Sequence, residues 1–183
     1  MIERFSLFFQ NNFAFLISLI ALSFTIYSFW WMNWRRGKLR VSPPRIFGAY
    51  CSQKSKLVLH IPFLFFNDGP KPIIVNNLRL IFEDETVFNP ITFVSTLNSV
   101  GDTNNKAFSS QFYIKGKECC TLVCEFQRIP GNLVFMRNEH WFQLQGQLNN
   151  NVEWKLLLRF HLLFNYEELE MFGRQFTVRE NLI

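Results

Sequence analysis

The sequence predicts an all-β fold, an antiparallel β-sandwich of about seven to nine strands behind one N-terminal transmembrane helix. Two observations support this. A predominantly apolar run of 20 residues occupies positions 13–32, and no charged residue lies between positions 5 and 34. Behind this run, apolar and polar residues alternate, with turn signals every 8 to 12 residues or so and no long helical pattern.

The apolar run has the length of a membrane span. At about 1.5 Å per residue, a helix over 13–32 is about 30 Å long, the thickness of the hydrocarbon core. Four aromatic residues with polar ring atoms, which favour the headgroup region, mark its C-terminal end: Tyr27, Trp30, Trp31 and Trp34. A cleaved signal peptide is the weaker alternative, because the run is long and no small-residue cleavage site follows it.

Small residues recur along one face of this predicted helix, at spacings of three and four. They are Ala14, Ser18, Ala21, Thr25 and Ser28. Small residues let membrane helices approach closely, and hydroxyl groups can bond between them, so the face is a candidate for self-association or for a partner helix. The alternative is that the hydroxyl groups bond back to their own helix.

Basic residues follow the helix directly: Arg35, Arg36, Lys38, Arg40 and Arg45. Residues 34–56 carry a formal charge of +7, whereas residues 57–183 carry −2. Positive flanks stay on the cytoplasmic side, which predicts a single-pass protein with a cytoplasmic C-terminal domain. Arg35, Arg36, Lys38 and Arg40, with the aromatic belt, are the predicted membrane-interface residues, and anionic headgroups are their predicted partner. The domain lacks the basic surplus that nucleic-acid binding requires.

The chain therefore divides into a short N-terminal tail (1–12), a transmembrane helix (13–32), a basic juxtamembrane arm (33–56) and a β domain (57–183). Within the domain, strands are predicted over 56–66, 72–82, 108–114, 119–128, 140–148 and 152–162, with shorter ones over 91–97 and 175–179 and a short helix over 166–172. Pro62 predicts an edge strand or a bulge, and the phase slip at Asn76 and Asn77 predicts a β-bulge. Asparagines 149–151 predict a tight hairpin turn.

Two segments resemble a known family of domains. They are HIPFLFFNDGPKPIIVNNLRLIF (60–82) and the turn KGKE with the following CCTLVCEF (115–126). The first resembles the second and third strands of bacterial membrane-anchored immunoglobulin-like and fibronectin-like sandwich domains, and the second resembles the turn before a late strand. Trp141 and Trp154 do not match the spacing of that family's buried tryptophan. The resemblance implies a sandwich with a role in adhesion, scaffolding or partner binding, and it implies no catalytic residue.

The sequence carries no GxGxxG, P-loop, GxSxG or HExxH motif. Its three histidines are isolated, and Cys119, Cys120 and Cys124 lack the paired spacing of a zinc site. Cys120 and Cys124 are expected to be small core residues, reduced in a cytoplasmic domain. We therefore expect no catalytic residue, no metal, no cofactor and no enzymatic activity.

One polar strand face carries a tryptophan. Trp141, Gln143 and Gln145 lie opposite the apolar positions of their strand, so they are the candidate surface for a protein partner. The leading hypothesis is a membrane-anchored, non-enzymatic module for protein binding or assembly. The alternative is a tethered domain that handles lipid or another apolar ligand, with the Phe-rich segment 63–66 lining a cavity.

Overall fold

The computed structural model describes residues 2–52, 56–83, 89–101, 106–108, 111–128, 139–163 and 176–181. These residues form one helix and eleven strands. In chain order the elements are α1 (Ile2–Asn33), β1 (Leu39–Ser42), β2 (Ile46–Ser52), β3 (Lys56–Asn67), β4 (Ile73–Phe82), β5 (Ile91–Leu97), β6 (Lys106–Phe108), β7 (Phe112–Ile114), β8 (Cys119–Arg128), β9 (Glu139–Leu148), β10 (Lys155–Leu163) and β11 (Thr177–Glu180).

Hydrogen bonds join the described strands into a single antiparallel sheet, which confirms the predicted β class. The main order is β10-β9-β4-β5-β8-β3-β2-β11. Three short strands lie beside this path, with β1 on β3, β6 on β5 and β7 on β4. The predicted arm over 33–56 thus contributes two strands to the sheet, β1 and β2.

The sheet curls so that distant strands face each other across one core. Strands β3 and β10 are five places apart in the sheet, yet the rings of Phe63 and Phe160 lie 5.6 Å apart in an edge-to-face contact. Phe63, Phe65 and Phe126 are fully buried within this core. The apolar strand positions therefore provide the surface that must be removed from water for the sheet to close on itself.

One asparagine joins the two ends of the curl. After β11, the Asn181 amide donates to the carbonyl oxygens of Pro44 (3.1 Å) and His161 (2.9 Å), and its Oδ1 accepts from the Leu163 N–H (3.3 Å). Asn181 is only 4% exposed. These bonds link the β11 edge of the sheet to β10, the strand at the opposite end of the order.

Two local predictions are confirmed. The register between β4 and β9 shifts between Val75 and Asn77, which is the predicted bulge. In the β9–β10 hairpin, Asn149 and Asn150 have positive φ angles of 52° and 58°. Two consecutive left-handed residues give the turn twist that a tight hairpin needs, and asparagine tolerates that backbone.

Pro62 was predicted to lie where its strand is at an edge or carries a bulge, and the first alternative is confirmed locally, although β3 as a whole is an interior strand of the sheet. On one side β8 pairs with the whole segment, and Pro62 is opposite Val123. On the other side the pairing with β1 ends at Leu64 and the pairing with β2 begins at His60, so residues 61–63 have no register partner on that side among the described strands. The missing N–H of proline thus falls at a local gap in an interior strand.

The continuous alternation predicted over 152–162 is corrected. The β9–β10 register shifts between Leu156 and Leu158, which is a second bulge. Before it, Val152 and Leu156 are 80% and 58% exposed, whereas Phe160 and Leu162 after it are buried. The predicted helix over 166–172 and the turn over 129–132 lie outside the described residues.

Helix α1 has the length and apolarity to cross a membrane. Its span Asn12–Asn33 has a mean hydropathy of 1.9, and none of its most apolar window is buried against the rest of the chain. The buried core contains none of the described side chains of α1.

Candidate interaction surfaces

The outer face of strands β4, β9 and β10 carries a continuous polar and aromatic ladder. Arg79 donates to Gln145 Oε1 from Nε (2.9 Å) and Nη2 (2.8 Å). Gln145 donates to Gln143 (3.2 Å), and Gln143 donates to Glu83 Oε1 (2.8 Å). Glu83 in turn accepts from Arg159 at 2.7 Å. The side chains therefore hold one another in a fixed row across three strands.

An arginine covers a tryptophan at each end of this ladder. The Arg79 guanidinium lies 4.1 Å from the ring centroid of Trp154, and that of Arg159 lies 4.6 Å from Trp141. Trp141 also contacts the ring of His161, with centroids 5.1 Å apart. Such cation–π contacts fix the flat faces of both partners.

The ladder lowers the pKa of its central carboxyl group. The hydrogen bonds from Arg159, and then that from Gln143, hold the pKa of Glu83 below its ordinary value, and burial opposes them only in part. The same pairing raises the pKa of Arg159. Both groups are therefore charged at neutral pH, and the surface presents paired charges beside two indole rings.

The structure brings together all three residues of the predicted partner surface, Trp141, Gln143 and Gln145. Each is half-buried. The sequence reading missed Arg79, Glu83 and Arg159, which complete the row. Arg79 stands at an outward position of its strand, but only the neighbouring positions of β4 and β9 in the sheet place it against Gln145.

A second constellation joins the helix to the domain. It consists of residues 35–40, the β3–β4 turn (67–71) and the β7–β8 turn (115–118), and we call it the junction. At its centre the Lys38 N–H donates to Asp68 Oδ1 (2.6 Å), and the Arg35 guanidinium donates to the Asp68 carbonyl oxygen (2.9 Å). The Lys117 ammonium group donates to that same oxygen at 2.6 Å. Arg40 lies 3.6 Å from Asp68 Oδ2.

Asn67 and three glycines complete the junction. The buried Asn67 amide donates to the carbonyl oxygens of Lys71 (2.7 Å), Ile114 (3.2 Å) and Lys115 (3.2 Å). A Cβ atom at Gly37 would lie 2.2 Å from the Gly69 nitrogen, and one at Gly116 would lie 1.8 Å from the Pro70 carbonyl oxygen. Only glycine permits the three backbone segments to approach this closely.

The junction also sets the charge state of Asp68. The backbone hydrogen bond from Lys38, followed by the positive charges of Arg35, Arg40 and Lys117, lowers the pKa of Asp68. Arg35 in addition lies over the ring of Trp31, 4.4 Å from its centroid. Two of the predicted membrane-interface bases, Arg35 and Arg40, thus contact the domain.

The rest of the predicted interface set lies at or next to the end of α1. Tyr27 is within ring contact of Trp30 (6.2 Å) and Trp31 (6.0 Å), and Trp34 contacts Phe29 (5.9 Å). Arg36 and Lys38 are exposed. Arg45 is separated from the others, because β1 carries the chain away to the turn before β2, where the Arg45 carbonyl accepts from the Asn181 N–H.

Two hydroxyl groups of the small-residue face bond to their own helix. Ser18 donates to the Ala14 carbonyl oxygen and Thr25 to that of Ala21, both at 2.8 Å. These are the internal bonds that the alternative interpretation expects. Ser28 is half-buried, whereas the other residues of the face are exposed. These two hydroxyl donors are therefore used within the helix.

A row of buried polar residues crosses three strands, β3, β8 and β5, on the outer side of the sheet. His60 and Glu125 are opposite each other in register, with Nε2 and Oε2 3.8 Å apart, and Ser95 donates to Glu125 Oε2 at 2.7 Å. The Gly101 N–H donates to His60 Nδ1 (3.2 Å), and the ring of Phe176 covers His60 with centroids 4.5 Å apart. All three polar side chains are at most 3% exposed.

The structure also places the cysteines and histidines that were considered in the sequence. Cys124 is fully buried, and burial, with a smaller effect from Cys120, raises the pKa of its thiol. His140 is buried against Phe82, and His161 lies 3.8 Å from Glu139. Within the described part of the chain, no group of three or more His, Cys, Asp or Glu side chains is arranged to hold a metal ion.

Comparison with known proteins defines no family. No protein-family model and no curated protein matches the chain. Among solved structures it is similar to a protein from Bordetella pertussis designated ApaA. The likeness covers 72% of this chain and 98% of that one, with 13% identity and a TM-score of 0.36.

Proposed function

We propose that this protein is a single-pass, membrane-anchored, non-enzymatic β domain that binds a protein partner or supports assembly at a membrane surface. The ladder from Trp154 to Trp141 is the observation that carries the proposal. It displays two indole rings and two arginines, residue types that dominate binding energy at protein interfaces. Its side chains are held in place before any partner arrives, which lowers the entropic cost of binding.

The anchor follows from α1 and the residues after it. An apolar helix that the domain does not cover requires a lipid environment or another helix. The basic residues behind it support a cytoplasmic position for the domain. A reporter fused after position 183 should therefore be inaccessible from outside intact cells, and an accessible reporter would contradict this orientation.

The alternative, a domain that handles lipid or another apolar ligand, has less support. Phe63 and Phe65 are fully buried and make ring contacts with Phe160 and Phe112. Leu64 and Phe66 point the other way and are 39% and 38% exposed. The Phe-rich segment thus packs into the core on one side and lies at the surface on the other.

An immunoglobulin-like or fibronectin-like ancestry belongs to the same proposal. It is supported by the narrow register between β4 and β5, which consists of Arg79 with Thr92 and Leu80 with Ile91. We propose that this narrow link marks the boundary between two facing layers, as in a sandwich. An experimental structure in which β4 and β5 pair along their full lengths would contradict this relationship.

Photo-crosslinking tests the ladder as a binding surface. A benzophenone amino acid replaces Leu156, which lies opposite Gln145 and is 58% exposed, or, as the matched control, Val178 in β11, which is 49% exposed. We expect one discrete crosslinked species from position 156 in native membranes, and its loss when Arg159→Ala is added. Equal crosslinking from both positions, or none from position 156, would refute the proposed surface.

A further inference from the structure

The junction gathers basic residues that are far apart in the sequence. Lys71 and the pair Lys115 and Lys117 belong to two separate turns of the domain, and both turns bond to Asn67 or Asp68 beside the end of α1. Together with the arm they form one exposed basic surface: Arg36, Lys38, Arg40, Lys71, Lys115 and Lys117.

This surface holds the charge surplus of the whole chain. With the half-buried Arg35, the junction contains seven bases against two acids, Asp68 and Glu118, a formal charge of +5. The complete chain has the same formal net charge, +5, so the remainder is balanced. Asp68 lies against Arg35 and Arg40, and Glu118 lies 3.8 Å from Lys115.

Exposed apolar side chains border the basic surface. Phe66, which directly precedes Asn67, is 38% exposed, and Tyr113, two residues before Lys115, is 63% exposed. Tyr113 is opposite Ile74 in the β4–β7 register, and Ile74 is 39% exposed. Basic and apolar groups side by side are typical of proteins that lie on an anionic membrane, where the charges meet headgroups and the apolar groups enter the interface.

We propose that the domain itself, through Lys71, Lys115 and Lys117, rests on the anionic lipid surface from which its own helix emerges. This inference depends on the proposed membrane anchor. The junction is continuous with the aromatic belt, because Arg35 stacks on Trp31 and also bonds to Asp68. The headgroup region at the helix end therefore lies next to the two lysine-bearing turns, and phosphatidylserine-type headgroups match their charge.

The test uses the full chain in nanodiscs that contain phosphatidylcholine and phosphatidylserine. Energy transfer from tryptophan is measured to a trace of dansyl-labelled phosphatidylserine and, separately, to dansyl-labelled phosphatidylcholine. The test variant is K71Q/K115Q. Its matched control, R45Q/K155Q, also removes two exposed bases, but from the β1–β2 turn and from β10, opposite Gly146.

We expect wild-type protein and R45Q/K155Q to show greater transfer to the serine lipid than to the choline lipid, with the excess falling as salt is added. Each base near an anionic surface strengthens the preference for the anionic lipid about fivefold. K71Q/K115Q should therefore lose most of the excess transfer to the serine lipid. Equal transfer to both probes in the wild type, or an excess that K71Q/K115Q retains, would overturn the inference and indicate a different occupant, such as an acidic protein.

Alkaline extraction distinguishes this result from failure of the anchor. If the helix is embedded, the protein stays with the lipid in every variant, and only the preference between the two probes is at issue. If alkali releases the wild-type protein and neither probe receives energy, both the anchor and the lipid contact of the domain are refuted.

Discussion

Asparagine side chains make connections in this fold that apolar burial cannot provide. Asn67 joins the β3–β4 turn to the end of β7, and Asn181 joins the two ends of the curled sheet. An amide side chain offers two donors and an acceptor, so it can satisfy backbone groups from several segments at once. Both residues are buried, where an unpaired carbonyl oxygen or N–H is costly.

Replacement of Asn181 by alanine should destabilise the domain by about 2–3 kcal/mol. The change leaves the carbonyl oxygens of Pro44 and His161 without the amide donors that they have in the folded protein. Urea unfolding of the detergent-solubilised chain measures the difference. Asn98→Ala, at an exposed turn position, is the control and should change stability by less than about 0.5 kcal/mol. Equal effects would disprove the role of Asn181 as a link.

The β9–β10 turn permits a second test at the scale of one residue. Asn150 has a φ angle of 58°, a backbone conformation that a β-branched residue adopts only with strain. Asn150→Val should cost about 1–2 kcal/mol, whereas Asn150→Gly should be neutral or slightly stabilising. Thermal unfolding of the two variants gives the comparison. A stable valine variant would show that the hairpin does not need this turn geometry.

At the scale of elements, features with local causes were predicted well, whereas features that depend on which strands lie side by side were not. The bulge after Val75 and the hairpin at residues 149–150 follow from nearby residues, since a phase slip and consecutive asparagines have local causes. The interior place of the strand that carries Pro62 could not be predicted. It depends on β1 and β2, which pair with the two ends of β3 and were assigned to the juxtamembrane arm.

The junction should weaken in acid because Asp68 has a lowered pKa. A carboxyl group whose pKa is lower in the folded state stabilises that state above its ordinary value, 3.8, and this stabilisation is lost as the pH falls through the lowered value. Asp68→Asn keeps an acceptor for the Lys38 N–H but removes the charge. We expect a loss of about 1 kcal/mol at neutral pH and a shallower decline below about pH 4.

Urea unfolding over a series of pH values tests this expectation, followed through the β-sheet circular dichroism of the domain. Glu180→Gln is the matched control, because Glu180 is exposed at the end of β11 and away from the junction. The control should keep the acid dependence of the wild type. If Asp68→Asn follows the same pH profile as the wild type, Asp68 does not stabilise the junction through its charge.

At the scale of the whole molecule, the sequence predicted some residues of each candidate surface. It did not predict the residues that other strands and turns add to it. Trp141, Gln143 and Gln145 were found because they alternate along one strand. Their partners are Arg79 in β4 and Glu83 directly after that strand, and a period of two residues carries no information on strand order. For the same reason the basic arm was found as a run of charges, whereas Lys71 and Lys117 joined it only through folding.

The attachment of the helix end to the domain depends on the close approach of Gly37 and Gly69, so a substitution at either glycine tests it. A Cβ atom at Gly37 would meet the backbone of Gly69, and no side-chain movement can relieve that contact. Gly37→Ala should therefore open the junction and leave the domain on a loose tether. Arg35, Arg36 and Lys38 then become trypsin sites that the folded junction protects in the wild type.

Trypsin cleavage over residues 35–38, in the full chain in nanodiscs, should accelerate about tenfold or more for Gly37→Ala, since each 1.4 kcal/mol of easier opening is worth about tenfold. Gly69→Ala should have the same effect, because it creates the same contact from the other side. Ser42→Ala, at an exposed position of β1, controls for substitution within the arm. If both glycine variants are cleaved at the wild-type rate, the domain is not held rigidly to its helix, and its orientation at the membrane must depend on lipid contacts alone.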